Sequence, residues 1–210
     1  DDAARFLQEV EKLPLGYVKL SLLLLLNTGM RPEEMLAIRA GNIVFDDNEA
    51  TINITSVVGR DGKEVRDYPK SDASRRSVPI DSYTAEIAKR WIDEKAAQME
   101  EMGFKPSMSM LLCCPEMVPR SYQSFRRDWQ GFIEGAEFKG VRPYALRHTF
   151  ATLNLANGEN IKTVSVLMGH ESPSYTLDLY AGYVPNTAMG IGSRYIDYIR
   201  SSGQDCGFIY

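Results

Sequence analysis

Histidine is scarce in this sequence, with 2 in 210 residues, and cysteine nearly as scarce, with 3. Cys113 and Cys114 are adjacent and Cys206 stands apart, with no Cys-x-x-Cys pair. No zinc site or other metal centre is expected from such a set. Its odd, irregular spacing argues against a disulfide framework and for a reducing compartment. Long apolar runs are also missing. The longest lies between Ser21 and Asn27, far short of the roughly 20 residues that cross a bilayer; it predicts a buried helix and no membrane partner. No basic-then-apolar leader opens the sequence, so no secretion signal is expected and the expected location is cytoplasmic. Nor is positive charge in excess: 24 Lys and Arg against 28 Asp and Glu leave a net charge of −4. Nothing global therefore advertises nucleic acid. Charge is uneven, however. Arg60, Lys63, Arg66, Lys70, Arg75 and Arg76 crowd one short stretch, while acids dominate residues 81–101. A local field of this kind can bind phosphate while the total stays negative.

What is present is ordinary material for one globular domain: 44% hydrophobic and 25% charged. Residues 3–12 and 16–27 read as helices, the second apolar nearly all round and so buried. Thr28-Gly29 stops it, and Pro32 opens a further helix through PEEMLAI. At Asn42 the pattern changes to β-branched alternation broken by Asp and Asn, a hairpin signal. One small antiparallel sheet is predicted over about 43–80. Helices return at 81–101, with Asp81 as N-cap, then at 120–135, at Pro143 to about Gly158 with Leu146, Phe150 and Leu153 on one face, at 160–168, at 173–180 with Ser172 as cap, and at 187–200. A short buried strand or turn is expected at Leu111-Leu112. The predicted class is mainly α with a small inserted antiparallel β-sheet.

Several residues could carry chemistry. Arg31 sits where one helix ends and the next begins, beside free backbone N–H groups, as in an anion site. Lys70 stands at a turn between strands, where a lysine can reach a phosphate and donate a proton. Arg147 flanks the apolar face of its helix. His170 follows a helix-stopping glycine, and Tyr180 comes ten residues later on a return helix. Taken singly, each fits a structural role as well: a capping arginine, a solvated turn lysine, a snorkelling arginine, a packed tyrosine. His148 reads as a satisfied structural histidine.

Taken in order, TGMRPEEMLAIR, PKSDASRRSVPI, LRHTFAT, LMGHESPS and TLDLYAGYVP resemble the tyrosine recombinase (phage integrase) family, over its catalytic domain and nearly the whole of residues 1–210. The resemblance implies a metal- and ATP-independent, cofactor-free enzyme that cuts and rejoins double-stranded DNA through a covalent 3′-phosphotyrosine. It implies Arg31, Lys70, Arg147, His170 and Tyr180 as catalytic residues, with Glu34 in support. Arginines and a histidine would neutralise charge on the phosphoryl oxygens, Tyr180 would attack phosphorus, and Lys70 would protonate the departing 5′ oxygen. It also implies a nucleoid-associated homotetramer on DNA that is monomeric when free, a segment of about 187–210 exchanged between subunits, and an N-terminal DNA-clamping domain outside this chain. One departure stands out. The family usually has histidine or lysine three residues before the second arginine; here it is Tyr144. A phenol with a pKa near 10 is a poor base, though it can donate a hydrogen bond to phosphate. His148, lying after the arginine, is not read as its substitute. Further DNA contacts are expected from Arg75, Arg76, Arg120, Arg126 and Arg127. The departure keeps open a DNA-binding relative that no longer cuts, and a type IB topoisomerase-like nicking and resealing enzyme stays open as a second alternative because it shares the chemistry.

Overall fold

The structure, a computed structural model, describes residues 2–46, 49–68, 72–115, 118–138, 140–183 and, beyond these, 193, 196, 197 and 200. Helix α1 (Asp2–Lys12) leads to α2 (Tyr17–Thr28). Leu20, Leu22, Leu23, Leu24 and Leu25 of α2 are all buried, because α2 is enclosed by α1 and by elements from later in the chain. The helix ends at Gly29, which takes the left-handed conformation (φ 61°) and donates its N–H to Leu25 O at 3.2 Å. Helix α3 (Pro32–Met35) starts three residues on. It is shorter than PEEMLAI predicted. Beyond Met35 the chain leaves the helix to place Arg39 in a β-bridge with Leu111, and Leu112 donates to Ile38 O. The expected turn at Leu111-Leu112 is thus a docking point for the α3 exit.

Strands β1 (Ile43–Asp46) and β2 (Glu49–Ile54) form the expected hairpin, in register Ile43 to Ile52. The expectation of one sheet is corrected to two. Among the described residues, strands β3 (Ser56–Val58) and β4 (Val65–Asp67) pair only with each other, whereas β5 (Arg76–Ile80) returns to β2 with Ile52 opposite Val78 and Ile54 opposite Arg76. The period-2 alternation aims Arg76, Val78 and Ile80 to one buried face. Helix α4 (Ser82–Glu101) starts at Asp81, whose carboxylate accepts from Thr84 N at 3.1 Å, the predicted cap. Helix α5 (Tyr122–Gly135) is capped by Ser121.

Helices α6 (Pro143–Ala156), α7 (Ile161–Met168) and α8 (Pro173–Tyr180) follow. Helix α6 packs on α2. Phe150, Ala151, Leu155, Val164, Met168 and Tyr180 make a small apolar cluster of their own, apart from the main core. Leu153, expected on the buried face of α6, is 48% exposed; its 3.6-residue phase carries it past the stripe set by Phe150 and Leu155. Most of the expected last helix lies outside the described residues, as do Ile191, Tyr195 and Ile199 of its apolar stripe; Ile196 is exposed. Among the described residues no helix is long and apolar enough to cross a membrane.

The α2–α3 corner depends on the missing side chain at Gly29. A Cβ there would lie 2.4 Å from Phe150 Cδ1, at a positive φ. Gly29→Ala is expected to lower unfolding free energy by about 2–4 kcal/mol, from left-handed strain and overpacking together. Gly131→Ala, in α5 with nothing within 4 Å, is expected to raise it by up to about 1 kcal/mol. Urea unfolding of the two variants checks the contrast.

Candidate active site

Three guanidiniums meet at the end of α7. Its last carbonyls, Leu167, Met168 and Gly169, have no partners within the helix. Arg76 Nε donates to Leu167 O at 2.6 Å, Arg147 Nη2 to Met168 O at 2.8 Å and Arg31 Nη2 to Gly169 O at 3.3 Å. Arg147 Nη1 also donates to Gly29 O at 2.6 Å, tying α6 to the α2–α3 corner. Gly169 closes α7 with φ 67°, and a Cβ there would sit 2.8 Å from Arg76 Nη1. Glycine lets the arginine approach.

Like charges this close need a counterion. Glu34, wholly buried in α3, supplies it. Its carboxylate accepts from Arg76 Nη1 at 3.0 Å and Nη2 at 2.8 Å, a two-pronged pair. It accepts as well from Arg31 Nη1 at 3.0 Å, from the Arg31 backbone N at 2.7 Å and from Tyr68 Oη at 3.2 Å. The backbone contact is the N3 glutamate reaching back over its own helix start. Burial alone would raise the Glu34 pKa; hydrogen bonds and charge from Arg76, then the charge of Arg31, overcome it and hold the carboxyl below its usual range. Burial, then the Glu34 charge, pushes the Tyr68 phenol up to about 12. Burial, then Arg31, brings Arg147 down to about 10, still a cation at neutral pH.

One carboxylate among three guanidiniums leaves a net positive field. It opens into a cavity of about 430 Å³ lined by Arg31, Ser74, Gly169, His170, Glu171, Ser172 and Tyr175. His170 Nδ1 lies 2.6 Å from Thr176 Oγ1, and the Tyr175 ring meets the imidazole edge-on at 4.8 Å. Burial, then Arg147, Arg31 and Arg76, lowers the His170 pKa to about 4. The imidazole is therefore neutral at pH 7 in the absence of an anion. The arrangement can hold a phosphodiester: it offers two arginines anchored by their other N–H groups and a histidine at the cavity wall.

Tyr180, at the end of α8, is buried and its Oη lies 2.8 Å from His148 Nδ1. Burial raises its pKa, opposed by the Arg147 charge. Tyr144 donates its hydroxyl to Glu33 Oε2 at 2.7 Å and packs edge-on against Tyr122. The structure thus gathers Arg31, Glu34, Arg147 and His170, with Tyr180 within the field of Arg147. Lys70 lies outside the described residues.

Two expectations are corrected. Arg76 does not reach for DNA: its side chain is 3% exposed and its donors are consumed by Glu34, Leu167 and Ser74. The alternation Arg76, Val78, Ile80 was the signal that pointed it inward. His148 is not merely a packed helix residue, since it is exposed and bonded to Tyr180. Of the other arginines, Arg120 is tied to Asp128 at 2.6 Å and lies over the Tyr17 ring, and Arg75 donates to Tyr68 O at 2.9 Å. Arg126 and Arg127 are exposed. Arg126 and Arg142 both bear electrostatically on Tyr122, which places basic charge beside Tyr144; Arg142 was not singled out from sequence.

The model of the phage integrase family matches residues 1–184. The chain belongs to the phage integrase family. It is 26% identical over 172 residues to the ICEBs1 integrase of Bacillus subtilis (strain 168), covering 82% of this chain and 46% of that protein. The chain thus spans about half the length of the curated relatives it matches. Among solved structures, the Tn1549 transposon integrase in complex with circular intermediate DNA shares the fold (TM-score 0.69, 18% identity, 94% of this chain and 65% of that one). So does the catalytic domain of bacteriophage HP1 integrase (TM-score 0.55, 19% identity, 97% and 95%).

The low pKa of His170 has a measurable consequence. Only two histidines are present, so imidazole NMR with a His148→Gln variant assigns both. His170 is expected to titrate near 4. Its folded pKa lies below the ordinary 6.5, so between these values the folded form binds fewer protons than the unfolded chain. The associated stability is full above pH 6.5 and declines as pH falls toward 4. Titration at or above 6.5 would contradict the burial of the imidazole together with its proximity to the three guanidiniums.

Proposed function

We propose that this chain is the catalytic part of a site-specific DNA recombinase that cuts and rejoins strands through a 3′-phosphotyrosine on Tyr180. The observation that carries the reading is that Arg31 and His170 line one cavity at the end of α7, with Arg147 bonded to Met168 O, next to the cavity-lining Gly169. A scissile phosphate seated there would be met by donors already held in place by Glu34, Gly29 and Met168. Preorganised donors stabilise the charge that builds on the phosphoryl oxygens without reorganising during reaction. Arg31 and Arg147 clamp the non-bridging oxygens, and His170, neutral in the absence of DNA, donates a further hydrogen bond. Tyr180 attacks phosphorus and the 5′ oxygen leaves, taking its proton from Lys70. The ester conserves the energy of the broken linkage, so resealing is the reverse attack.

Double-stranded DNA is the partner in this reading, with four copies of the chain assembled on two sites and the segment of about 187–210 passed between neighbours. Exposed Ile196 is consistent with such docking. Arg126 and Arg127, both exposed on α5, contact DNA backbone. Glu34 and Arg76 support Arg31 from beneath.

Two experiments follow. A pool of nicked duplexes with randomised sequence around the nick, whose short 5′ fragment diffuses away after cleavage, is expected to trap a covalent adduct on denaturing gels. Tyr180→Phe is expected to abolish it, and Arg147→Ala to slow it by about 10²–10³-fold; peptide mapping of the adduct to any other tyrosine would overturn the assignment. Second, replacing Arg126 and Arg127 by alanine is expected to reduce the slope of log affinity against log salt by about 1.8. An unchanged slope would remove both from the DNA-facing surface.

A further inference from the structure

The recombinase reading leaves one proton unaccounted for. When Tyr180 attacks phosphorus, its phenolic hydrogen needs an acceptor. The position where the resemblance implies a histidine or lysine is Tyr144, whose hydroxyl is already given to Glu33 at 2.7 Å. Burial, then that hydrogen bond and the Glu33 charge, raise its pKa above the ordinary phenol value. A phenol in this state holds its proton. His170 is engaged with Thr176 through Nδ1.

One turn further along α6 from Tyr144 lies His148. Residues at i and i+4 share a helix face, so the imidazole sits next to where the missing base would have been. Its Nδ1 is 2.8 Å from Tyr180 Oη, and the two rings are 5.8 Å apart, centre to centre. This is hydrogen-bond reach to the one oxygen that must lose a proton. The adjacent Arg147 points elsewhere, to Gly29 and Met168, but its charge favours the phenolate.

Resting on the recombinase reading, we infer that His148 is the general base that activates Tyr180, in place of the residue lost at position 144. With the neutral ring protonated on Nε2, the Nδ1 lone pair accepts the hydrogen of Tyr180 Oη. The Oη–phosphorus bond forms as the phosphorus–O5′ bond breaks, and O5′ leaves with the bonding pair and is protonated by a separate donor. In the return direction the 5′ hydroxyl gives its proton back to that same donor as its oxygen attacks phosphorus, the Oη–phosphorus bond breaks, and the His148 imidazolium returns its proton to the departing phenolate. No oxidant, metal or further reactant enters. The exposed side chain of His148 keeps the imidazolium hydrated between the two steps.

The test is single-turnover adduct formation on nicked duplex, with DNA affinity measured in parallel. His148→Asn keeps an acceptor oxygen near the Nδ1 position but takes no proton at neutral pH; His148→Ala removes both. The third variant carries 2,3,5-trifluorotyrosine at position 180, whose phenol ionises more readily, alone and with His148→Asn. His148→Asn is expected to slow cleavage by about 10²–10⁴-fold with DNA affinity unchanged. The fluorinated tyrosine is expected to recover most of that loss in the His148→Asn background and to change the wild type little. A latch that merely holds the ring would be preserved by asparagine and indifferent to phenol acidity. Wild-type rates in both His148 variants, or a loss that the fluorinated tyrosine does not recover, would overturn the inference while leaving the recombinase reading intact. An unaltered protein that forms no adduct at all would overturn both.

Discussion

The site rests on a buried carboxylate. Glu34 accepts five hydrogen bonds, two from Arg76, two from Arg31 and one from Tyr68. Burying an ion pair costs several kcal/mol per charge unless its hydrogen bonds are complete, and removing one partner typically costs about 3–5 kcal/mol. Here completeness is achieved by drawing on three regions: the start of α3, the residue after β4, and the first residue of β5. The pair is accordingly a constraint on the fold as much as a stabilising contact. It holds the sheet, the α3 corner and, through Arg76, the end of α7 in one arrangement.

The charge balance at this point explains the function proposed above. Three guanidiniums converge where α7 presents its unpartnered carbonyls and the negative end of its dipole. One carboxylate and the carbonyls of Gly29, Ser74, Leu167, Met168 and Gly169 position them without neutralising them. What remains is a preformed positive field at the wall of a cavity, and it adds to burial in lowering the His170 pKa to about 4. In the proposed reading an incoming phosphate completes the balance. Gly29 and Gly169 are needed for steric reasons: Phe150 and Arg76 occupy the space that a side chain at either position would take.

Much of this was legible in local sequence. Asp81, Ser172 and Gly169 act as the caps their types and positions suggest, and Pro143 and Pro173 start their helices. The largely apolar α2 lies in the core. The order of the motifs around Arg31, Arg147, His170 and Tyr180 carried the family. The illegible parts involve partners far apart in the chain. Nothing near residue 34 says that Arg76 will come to it; only the inward phase of β5 hinted that a charge would be buried and so would need a counterion. The split into two sheets depends on β5 choosing β2 over β4, a long-range choice. The helix predicted through Ile38 is cut short because Arg39 bridges to Leu111, a contact local propensity does not encode. The pairing of His148 with Tyr180 depends on how α8 returns to α6, and the nearness of His148 to Phe150 in the sequence gave it the appearance of a packed residue.

The most direct measurement is a crystal structure of the Tyr180→Phe chain bound to cleavable duplex DNA. The account predicts one phosphate within hydrogen-bond distance of Arg31, Arg147 and His170, the phenyl ring of residue 180 beside it, and the Arg31–Glu34–Arg76 contacts unchanged from the DNA-free arrangement. A phosphate backbone that bypasses this cavity, or a Glu34 released from Arg76 on binding, would contradict it.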